Sequence, residues 1–443
     1  MIILLYLVIF LIISATFLIL YLLKRDSKIV PIDDIGLLFS VFIALYTVLP
    51  VSSWLLQGGQ YILPVGKLYE MQPILHEVIE LSLTGLFYIF GVLLIYYYSR
   101  KRLMLLSRSA SLISSSLWVS NKLMSITLLM YVLASSVYMF FQYKYGVYEA
   151  KSQSYNAGYV VYLNIPLIVA QMLNILKGFA TVAYTILILG LFMRWNNRKS
   201  RFLIGVIFLI TVLNYDFGHA RTELFQTIVL FALLYHLFVT PFESVKNIIA
   251  ILVLLLIGFL LLGIRGDNGV IAQFALPLGE FDIIWGNAVE MLREKNKDVL
   301  NVPLYVYLYD FIAFIPSNIL PFPKQSPQVW LMDTYYPIAK EAGHGRMFGA
   351  ITQSVIGFGM LEAFIRGAII GFISIRFKSW LGSGKYSWWI LTVFVIVYLS
   401  VPSMVRGSTL APIFLLPSVT LIVISLLYLL DKLLPSKKTT IRT

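Results

Sequence analysis

Residues 2–23 read IILLYLVIFLIISATFLILYLL, a run of 22 residues without a single charged side chain. At 1.5 Å per residue, an α-helix of this length measures about 33 Å, which is enough to cross the hydrocarbon core of a bilayer. A helix is the expected conformation because that core contains no water to hydrogen-bond an unpaired backbone. No basic residue precedes the run and no small-residue cleavage site follows it, which favours a retained helix over a signal peptide.

Apolar runs of similar length recur along the chain, which has 443 residues, 59% of them hydrophobic, and a mean hydropathy of +0.86. The sequence shows no internal repeat and no segment with the composition of a separate soluble domain. It therefore predicts an all-α polytopic integral membrane protein, with residues 1–443 forming a single membrane domain. About eleven helices are predicted, near residues 2–23, 35–56, 79–98, 123–141, 175–193, 202–215, 224–240, 247–264, 348–375, 388–405 and 409–430.

The basic residues are unevenly divided between the predicted loops, and 20 of the 34 lysines and arginines fall on one side of the membrane. Lys and Arg in short loops mark the cytoplasmic face, so the N-terminus is predicted outside and the C-terminus inside. The net charge of +13 is therefore explained by basic residues at the cytoplasmic face, and no nucleic-acid partner is predicted. The 20 residues are Lys24, Arg25, Lys28, Arg100, Lys101, Arg102, Arg108, Lys122, Arg194, Arg198, Lys199, Arg201, Lys246, Arg376, Lys378, Lys385, Lys432, Lys437, Lys438 and Arg442.

One predicted outer segment, residues 266–345, is 80 residues long and contains 7 of the 17 prolines. A structureless loop of this length is uncommon, and this one is too apolar and aromatic for a disordered segment. We therefore expect a folded loop between the eighth and ninth predicted helices, carrying short interfacial helices such as Phe281–Leu292. Its aromatic residues suit either an interfacial belt or stacking on sugar rings; they are Tyr305, Tyr307, Tyr309, Trp330, Tyr335 and Tyr336.

Four arginines are predicted at one depth, near the outer interface. Arg221 precedes the seventh predicted helix, Arg265 ends the eighth, Arg346 precedes the ninth and Arg406 ends the tenth. Such arginines commonly anchor helix ends or extend towards the headgroups. A guanidinium also binds phosphate in a bidentate manner and keeps its charge. The four are therefore candidates to bind a lipid-linked phosphate or pyrophosphate.

The stretch KEAGHGRMFG at residues 340–349 closes the long outer segment. It offers Glu341 and His344 as candidates for a general base, because a carboxylate accepts protons and histidine titrates near neutral pH. Its glycines allow a ligand to approach the backbone closely. Other carboxylates that could act as a base, or that are simply solvated, are Asp333, Glu280 and Asp310.

The sequence predicts no cofactor and no metal, because it contains no cysteine, only 4 histidines and no clustered ligand motif. It also lacks a G-x-S-x-G serine motif and a G-x-x-x-x-G-K phosphate-binding loop. Glu362 and Arg366 are four residues apart inside the ninth predicted helix. Charges in a membrane helix are costly, so these two form either a self-neutralising pair or part of a polar substrate channel.

The layout of about eleven helices, one long outer loop after the eighth, and interfacial arginines resembles that of the bacterial O-antigen polymerase (Wzy-type) family of oligosaccharide repeat unit polymerases. One feature of that family is an arginine separated from a glycine by ten residues in an outer loop. Arg346 and Gly357 have this spacing. The matching positions after Arg265 and Arg221 hold leucine and alanine instead.

The resemblance implies a metal-independent glycosyltransferase of the bacterial inner membrane. It would transfer a growing glycan from undecaprenyl pyrophosphate to a second lipid-linked repeat unit at the periplasmic face. The implied partners are a lipid-linked oligosaccharide donor and acceptor, with a chain-length regulator as a possible protein partner. The residues assigned to pyrophosphate binding are Arg221, Arg265, Arg346 and Arg406, and those assigned to catalysis are Glu341, His344 and Arg346.

Other functions stay open at this point. An O-antigen ligase, which moves the finished glycan to the lipid A core, has a similar layout. A transporter or flippase of lipid-linked oligosaccharide is a second alternative, although transporters usually carry internal repeats around a midplane site and none is evident here. A structural membrane protein without catalysis is the third.

Overall fold

The architecture is that of a computed structural model of the chain. The structure describes residues 2–24, 31–56, 72–99, 121–147, 165–213, 221–240, 270–313, 319–337, 348–382 and 388–433, together with residues 58, 59, 119, 149, 242 and 315. Within these ranges, the regular secondary structure is helical.

The helices of the described residues are numbered in chain order. They are α1 (Ile2–Lys24), α2 (Ile35–Leu56), α3 (Leu75–Tyr98), α4 (Asn121–Lys144), α5 (Leu167–Phe192), α6 (Arg198–Leu213), α7 (Arg221–Phe238), α8 (Val270–Asn296), α9 (Leu304–Tyr307), α10 (Tyr309–Ile312), α11 (Pro327–Tyr335), α12 (Ala350–Ile356), α13 (Met360–Gly382), α14 (Trp388–Arg406) and α15 (Ala411–Leu433).

Six of these helices, α1, α2, α3, α4, α5 and α14, are long and apolar enough to cross a membrane. They confirm the prediction of a helical, multi-pass membrane protein. The described residues provide six such helices, and the total of about eleven stays a prediction. The predicted helix at 247–264 lies outside the described residues.

The ninth predicted helix is not continuous, and the prediction of one helix over residues 348–375 was wrong. The structure contains two helices here, α12 and α13, separated by Gly357, Phe358 and Gly359. Gly359 has a φ of 64°, in the left-handed region. Residues with a β-carbon adopt this region at a cost of roughly 1–2 kcal/mol, which glycine avoids.

The predicted outer segment 266–345 contains a longer helix than the short interfacial ones expected, because α8 has 27 residues and includes the whole of Phe281–Leu292. It packs beside α2 and α3. The short helices α9, α10 and α11 follow it, and residues 338–347 lie outside the described part.

The helices α3 and α13 approach each other closely because glycines lie at their interface. A β-carbon at Gly91 of α3 would overlap the backbone of Phe364, and one at Gly367 of α13 would overlap the backbone of Tyr88. Small residues permit this approach between membrane helices. The pair lies within an apolar core that also includes residues of α1, α2 and α14.

Candidate functional site

Most of the residues predicted for catalysis or pyrophosphate binding lie outside the described part of the chain: Glu341, His344, Arg346 and Arg265. Arg221 is the first residue of α7, and its side chain is also outside the description. Arg406 is the last residue of α14 and is half-buried. The proposed set of arginines therefore stays a prediction, apart from the position of Arg406 at a helix end.

Gly349, the last residue of KEAGHGRMFG, lies against the end of α14. Its N–H donates to the carbonyl of Arg406 over 3.0 Å. Its φ of 87° is left-handed, and a β-carbon at this position would overlap the side chain of Ile284 in α8. A glycine is therefore required here both for the backbone conformation and for the space beside α8.

The pair of charges predicted inside the ninth helix is a cluster of three, because Asp310 of α10 joins it. Arg366 Nε and Nη2 both lie 2.7 Å from Glu362 Oε1, and Nη1 forms an ion pair with Asp310 Oδ2. Arg366 and Asp310 are buried. We call these three residues, with Gln353, the Arg366 cluster.

Both carboxylate oxygens of Asp310 accept hydrogen bonds from neighbouring helices. Gln353 Nε2 donates to its Oδ2 over 2.9 Å, and the N–H of Ala411 donates to its Oδ1 over 2.8 Å. Ala411 is the first residue of α15, and a carboxylate at a helix N-terminus satisfies an amide that the helix leaves unpaired. Asp310 therefore joins α10 to α12 and α15, and its role as a candidate base stays a prediction.

The hydrogen bonds of the Arg366 cluster continue to α3. Gln353 Oε1 accepts from both the N–H and the hydroxyl of Thr409, over 2.8 and 3.0 Å. The Thr409 hydroxyl lies 3.2 Å from Tyr88 Oη, which donates to the Ala350 carbonyl over 3.0 Å and accepts from Ser354 Oγ over 2.8 Å. Buried polar groups joined in this way fix one arrangement of α3, α10, α12, α13 and α15.

Glu362 also holds the turn between α12 and α13. Its Oε2 accepts from the N–H of Phe358 over 3.0 Å. A β-carbon at Gly357 would overlap this carboxylate. Gly357 has the ten-residue spacing from Arg346, and the packing of Glu362 against it also requires a glycine at this position.

Two residues of the predicted outer segment 266–345, Lys295 and Tyr307, donate hydrogen bonds to carbonyls at the C-terminal end of α12. Lys295 Nζ donates to Val355 O over 2.7 Å and to Gly357 O over 2.6 Å, and Tyr307 Oη donates to Ile356 O over 2.6 Å. Burial lowers the pKa of Lys295 from its ordinary value, while Glu80 and Glu362 act in the opposite direction. Burial also raises the pKa of Tyr307, so its hydroxyl keeps the proton that it donates.

A bidentate ion pair joins α8 to the start of α3. Arg293 Nε lies 2.6 Å from Glu77 Oε1 and its Nη2 lies 2.9 Å from Oε2, while Nη2 also donates to Gln72 O over 2.6 Å. The sequence pattern does not indicate this pair, because its members are 216 residues apart. The only available signal was that both charges stand beside apolar runs.

A second charged group lies at the other end of α13, which we call the Asp34 cluster. Asp34 is buried, and its Oδ1 accepts from Leu37 N over 2.9 Å, from Ser374 Oγ over 3.1 Å and from the hydroxyl of Tyr96. Its Oδ2 has no hydrogen-bond partner among the described residues, and Lys378 Nζ stands 3.6 Å away. This cluster joins α2, α3 and α13.

Among the residues that the structure describes, no group of three or more His, Asp or Glu side chains is placed to hold a metal ion. Aromatic residues of the predicted outer segment share one apolar core: Trp330 and Tyr336 are buried in it, and the partly buried Tyr305 packs against it. Tyr305 also stacks beside Phe322, with ring centroids 6.4 Å apart.

The class that the fold and these clusters define is a helical multi-pass membrane protein in which charged groups are buried between the helices. No protein-family model, no curated protein sequence and no solved structure matches the chain.

Proposed function

We propose that the chain is a polytopic glycosyltransferase that joins undecaprenyl-pyrophosphate-linked repeat units into O-antigen or a related surface polysaccharide, at the periplasmic face of the bacterial inner membrane. The observation that carries the proposal is the 3.0 Å hydrogen bond from Gly349 N to Arg406 O. This bond holds Gly349, the last residue of KEAGHGRMFG, against Arg406 at the C-terminal end of α14. Arg346 is three residues from Gly349, which corresponds to at most about 11 Å of chain.

In the proposed reaction, the bond between the anomeric carbon of the donor glycan and the pyrophosphate oxygen breaks. A new glycosidic bond forms to a hydroxyl of the acceptor, whose proton passes to Glu341 or His344. Arg346, Arg406, Arg221 and Arg265 stabilise the charge that develops on the leaving lipid pyrophosphate. The leaving group supplies the free energy, and neither a nucleotide nor a metal enters the scheme.

The Arg366 cluster has a supporting role in this proposal. The Nε, Nη1 and Nη2 atoms of Arg366 already bind Glu362 or Asp310, so the guanidinium is not offered to a phosphate. Through Gln353 and Thr409, the cluster instead orders the turn between α14 and α15 and the start of α12. Rigid support of this kind keeps substrate-binding groups at their positions.

The test is incubation of the purified protein with a lipid-linked repeat unit, followed by separation of the lipid-linked products by length. We expect longer products from the wild type and none from Arg346→Ala, because a fixed positive charge near the pyrophosphate is lost. The matched control is Arg198→Ala, an exposed arginine at the start of α6. Products of normal length from Arg346→Ala would refute the role of this arginine.

One observation favours a second candidate, a transporter of lipid-linked oligosaccharide. Transporters bind their substrates where membrane helices are interrupted, and the chain is interrupted between α12 and α13 beside a buried charge cluster. Proteoliposomes containing labelled lipid-linked repeat unit separate the two functions. Movement of the lipid across the bilayer without any longer product would favour the transporter.

A further inference from the structure

The depth of residues in the membrane can be read from α3. This helix has its acidic residues, Glu77 and Glu80, in its first two turns, and it is uncharged from Leu81 to Tyr98. The outer boundary of the hydrocarbon core therefore falls near Leu81. Tyr88 is seven residues further along, or about 10 Å deeper.

Contacts along α8 show that α8 and α12 run in the same direction. Near the start of α12, Thr352 Oγ1 donates to Ile284 O over 3.4 Å. At the end of α12, Lys295, near the end of α8, donates to the carbonyls of Val355 and Gly357. The direction is outward, because α8 leads from Phe281, whose ring centroid is 4.3 Å from that of Tyr46 in the middle of α2, to the Arg293–Glu77 pair at the outer end of α3.

The helix α13 runs in the opposite direction. Its Glu362 meets the turn at Phe358, its Gly367 lies against the backbone of Tyr88, and its Ser374 donates to Asp34 at the start of α2. The helix α12 begins at the level of Tyr88, since the Tyr88 hydroxyl donates to the Ala350 carbonyl. The two helices thus form a hairpin that is deep at Ala350, reaches the outer boundary at Phe358 and returns inward. Because Gly349 N bonds Arg406 O, the end of α14 lies at the depth of Ala350, which is deeper than the interfacial position predicted for Arg406 from the sequence.

We infer that Lys295 is a positioning residue that holds the outer turn of this re-entrant hairpin and so fixes the depth of Gly349 and Ala350. Its ammonium bridges two carbonyls at the turn. Lys297, two residues further along the chain, has a side chain that is 66% exposed and forms an ion pair with Glu294, at 3.7 Å. The same chemical group therefore holds the hairpin at position 295 and is solvated at position 297.

The consequence for catalysis rests on the proposed function, since Gly349 follows the residues assigned to the reaction. Loss of the Lys295 contacts would move that segment relative to Arg406 without removing a group that touches substrate. The hairpin itself does not depend on the proposed function.

The hairpin is tested by cysteine labelling, for which the chain is suited because it contains no cysteine. Phe358→Cys, at a side chain that is 83% exposed, should react with a membrane-impermeant maleimide applied to the periplasmic side of spheroplasts. In one continuous helix from residue 348, position 358 would lie about 15 Å inside the membrane and would not react.

Two further single-cysteine variants serve as controls for this labelling. Asn301→Cys, in an exposed segment after α8, is the positive control. Phe372→Cys, on the exposed face of α13, is the negative control because that face lies within the membrane. Labelling of the Asn301→Cys protein without labelling of the Phe358→Cys protein would overturn the hairpin.

The role of Lys295 is tested at the buried Ser354 of α12. In a Ser354→Cys background, Lys295→Met should raise the labelling rate about tenfold, because two charge-assisted hydrogen bonds that oppose local opening are lost. Lys297→Met should leave the rate unchanged, and Lys295→Arg should restore protection, which excludes a general loss of folding. Equal labelling of position 354 in the Lys295→Met and Lys297→Met proteins would overturn the role.

The activity assay adds a readout that is specific to positioning. Lys295→Met should lower kcat for chain extension while leaving KM for the lipid-linked unit nearly unchanged, and Lys295→Arg should recover kcat. If the labelling results hold and the wild type forms no longer product, the proposed function fails and the hairpin stands. If the wild type extends chains and the cysteine at position 354 stays protected when Lys295→Met is added, the inference fails and the function stands.

Discussion

The two charged clusters at the ends of α13 accommodate buried charge in different ways. In the Arg366 cluster, all three guanidinium nitrogens bind carboxylate oxygens, and the arginine side chain is 7% exposed. In the Asp34 cluster, the Lys378 side chain is 18% exposed and stands 3.6 Å from the carboxylate, whose Oδ2 has no hydrogen bond from the described part of the chain. A planar guanidinium with several fixed donors suits burial between carboxylates that accept from it, whereas a lysine on a flexible stem can keep contact with water. The Arg366 end should therefore be the rigid end of α13 and the Asp34 end the more adjustable one.

The largest effect is expected from Arg366→Met, which leaves the buried Asp310 and the half-buried Glu362 without their cation. Breaking a buried ion pair by removing one partner costs about 3–5 kcal/mol. Thermal unfolding of the purified protein in detergent would measure the loss. The triple variant that also carries Asp310→Asn and Glu362→Gln should recover most of it, because no uncompensated charge then remains. If Arg366→Met lost less stability than Lys378→Met, the Arg366 end of α13 would not be the more rigid one.

A smaller effect is expected from Gly357→Ala, which tests how tightly the Arg366 end is packed. The new methyl group would overlap the Glu362 carboxylate, and overpacking of this kind costs about 1–3 kcal/mol. The matched control is Gly205→Ala in α6, where a β-carbon would meet no atom within 4 Å. Unfolding measurements should show a clear loss at position 357 and no loss at 205. Equal stability of the two variants would contradict the described packing of Glu362.

The smallest effect is expected from Lys378→Met at the Asp34 end. After the ammonium is removed, the buried Asp34 carboxylate keeps three hydrogen-bond donors on Oδ1, and the ammonium is too distant for a hydrogen bond, so the loss should be about 1 kcal/mol. The effect should shrink as the salt concentration rises, since the ammonium is partly exposed and is screened. A loss as large as that of Arg366→Met, unaffected by salt, would show that the Asp34 pair is as tightly held as the other.

The sequence predicted best what depends on one continuous segment. The helices α1, α2 and α3 follow from uninterrupted apolar runs of sufficient length, and their predicted bounds agree with the structure to within four residues. The Glu362–Arg366 contact was also predictable, because residues four apart share one face of a helix.

The sequence predicted poorly what depends on contacts between distant segments. Asp310 lies in the aromatic run YVYLYDF of a predicted loop, and nothing local indicates that it meets Arg366, 56 residues later. The break between α12 and α13 was missed because glycines are common in membrane helices and the Gly-Phe-Gly turn lies inside an apolar run. The length of α8 was missed because Pro277 and several charged residues made this segment resemble a loop.

The bond from Ala411 to Asp310 has a consequence for how the protein is made. Asp310 is synthesised 101 residues before Ala411, whose N–H donates to its Oδ1. At about 5–20 residues per second, that carboxylate waits roughly 5–20 s for its partner. A nascent chain that already contains α1 to α14 therefore carries an unfinished charge cluster at the membrane, and synthesis of α15 completes it.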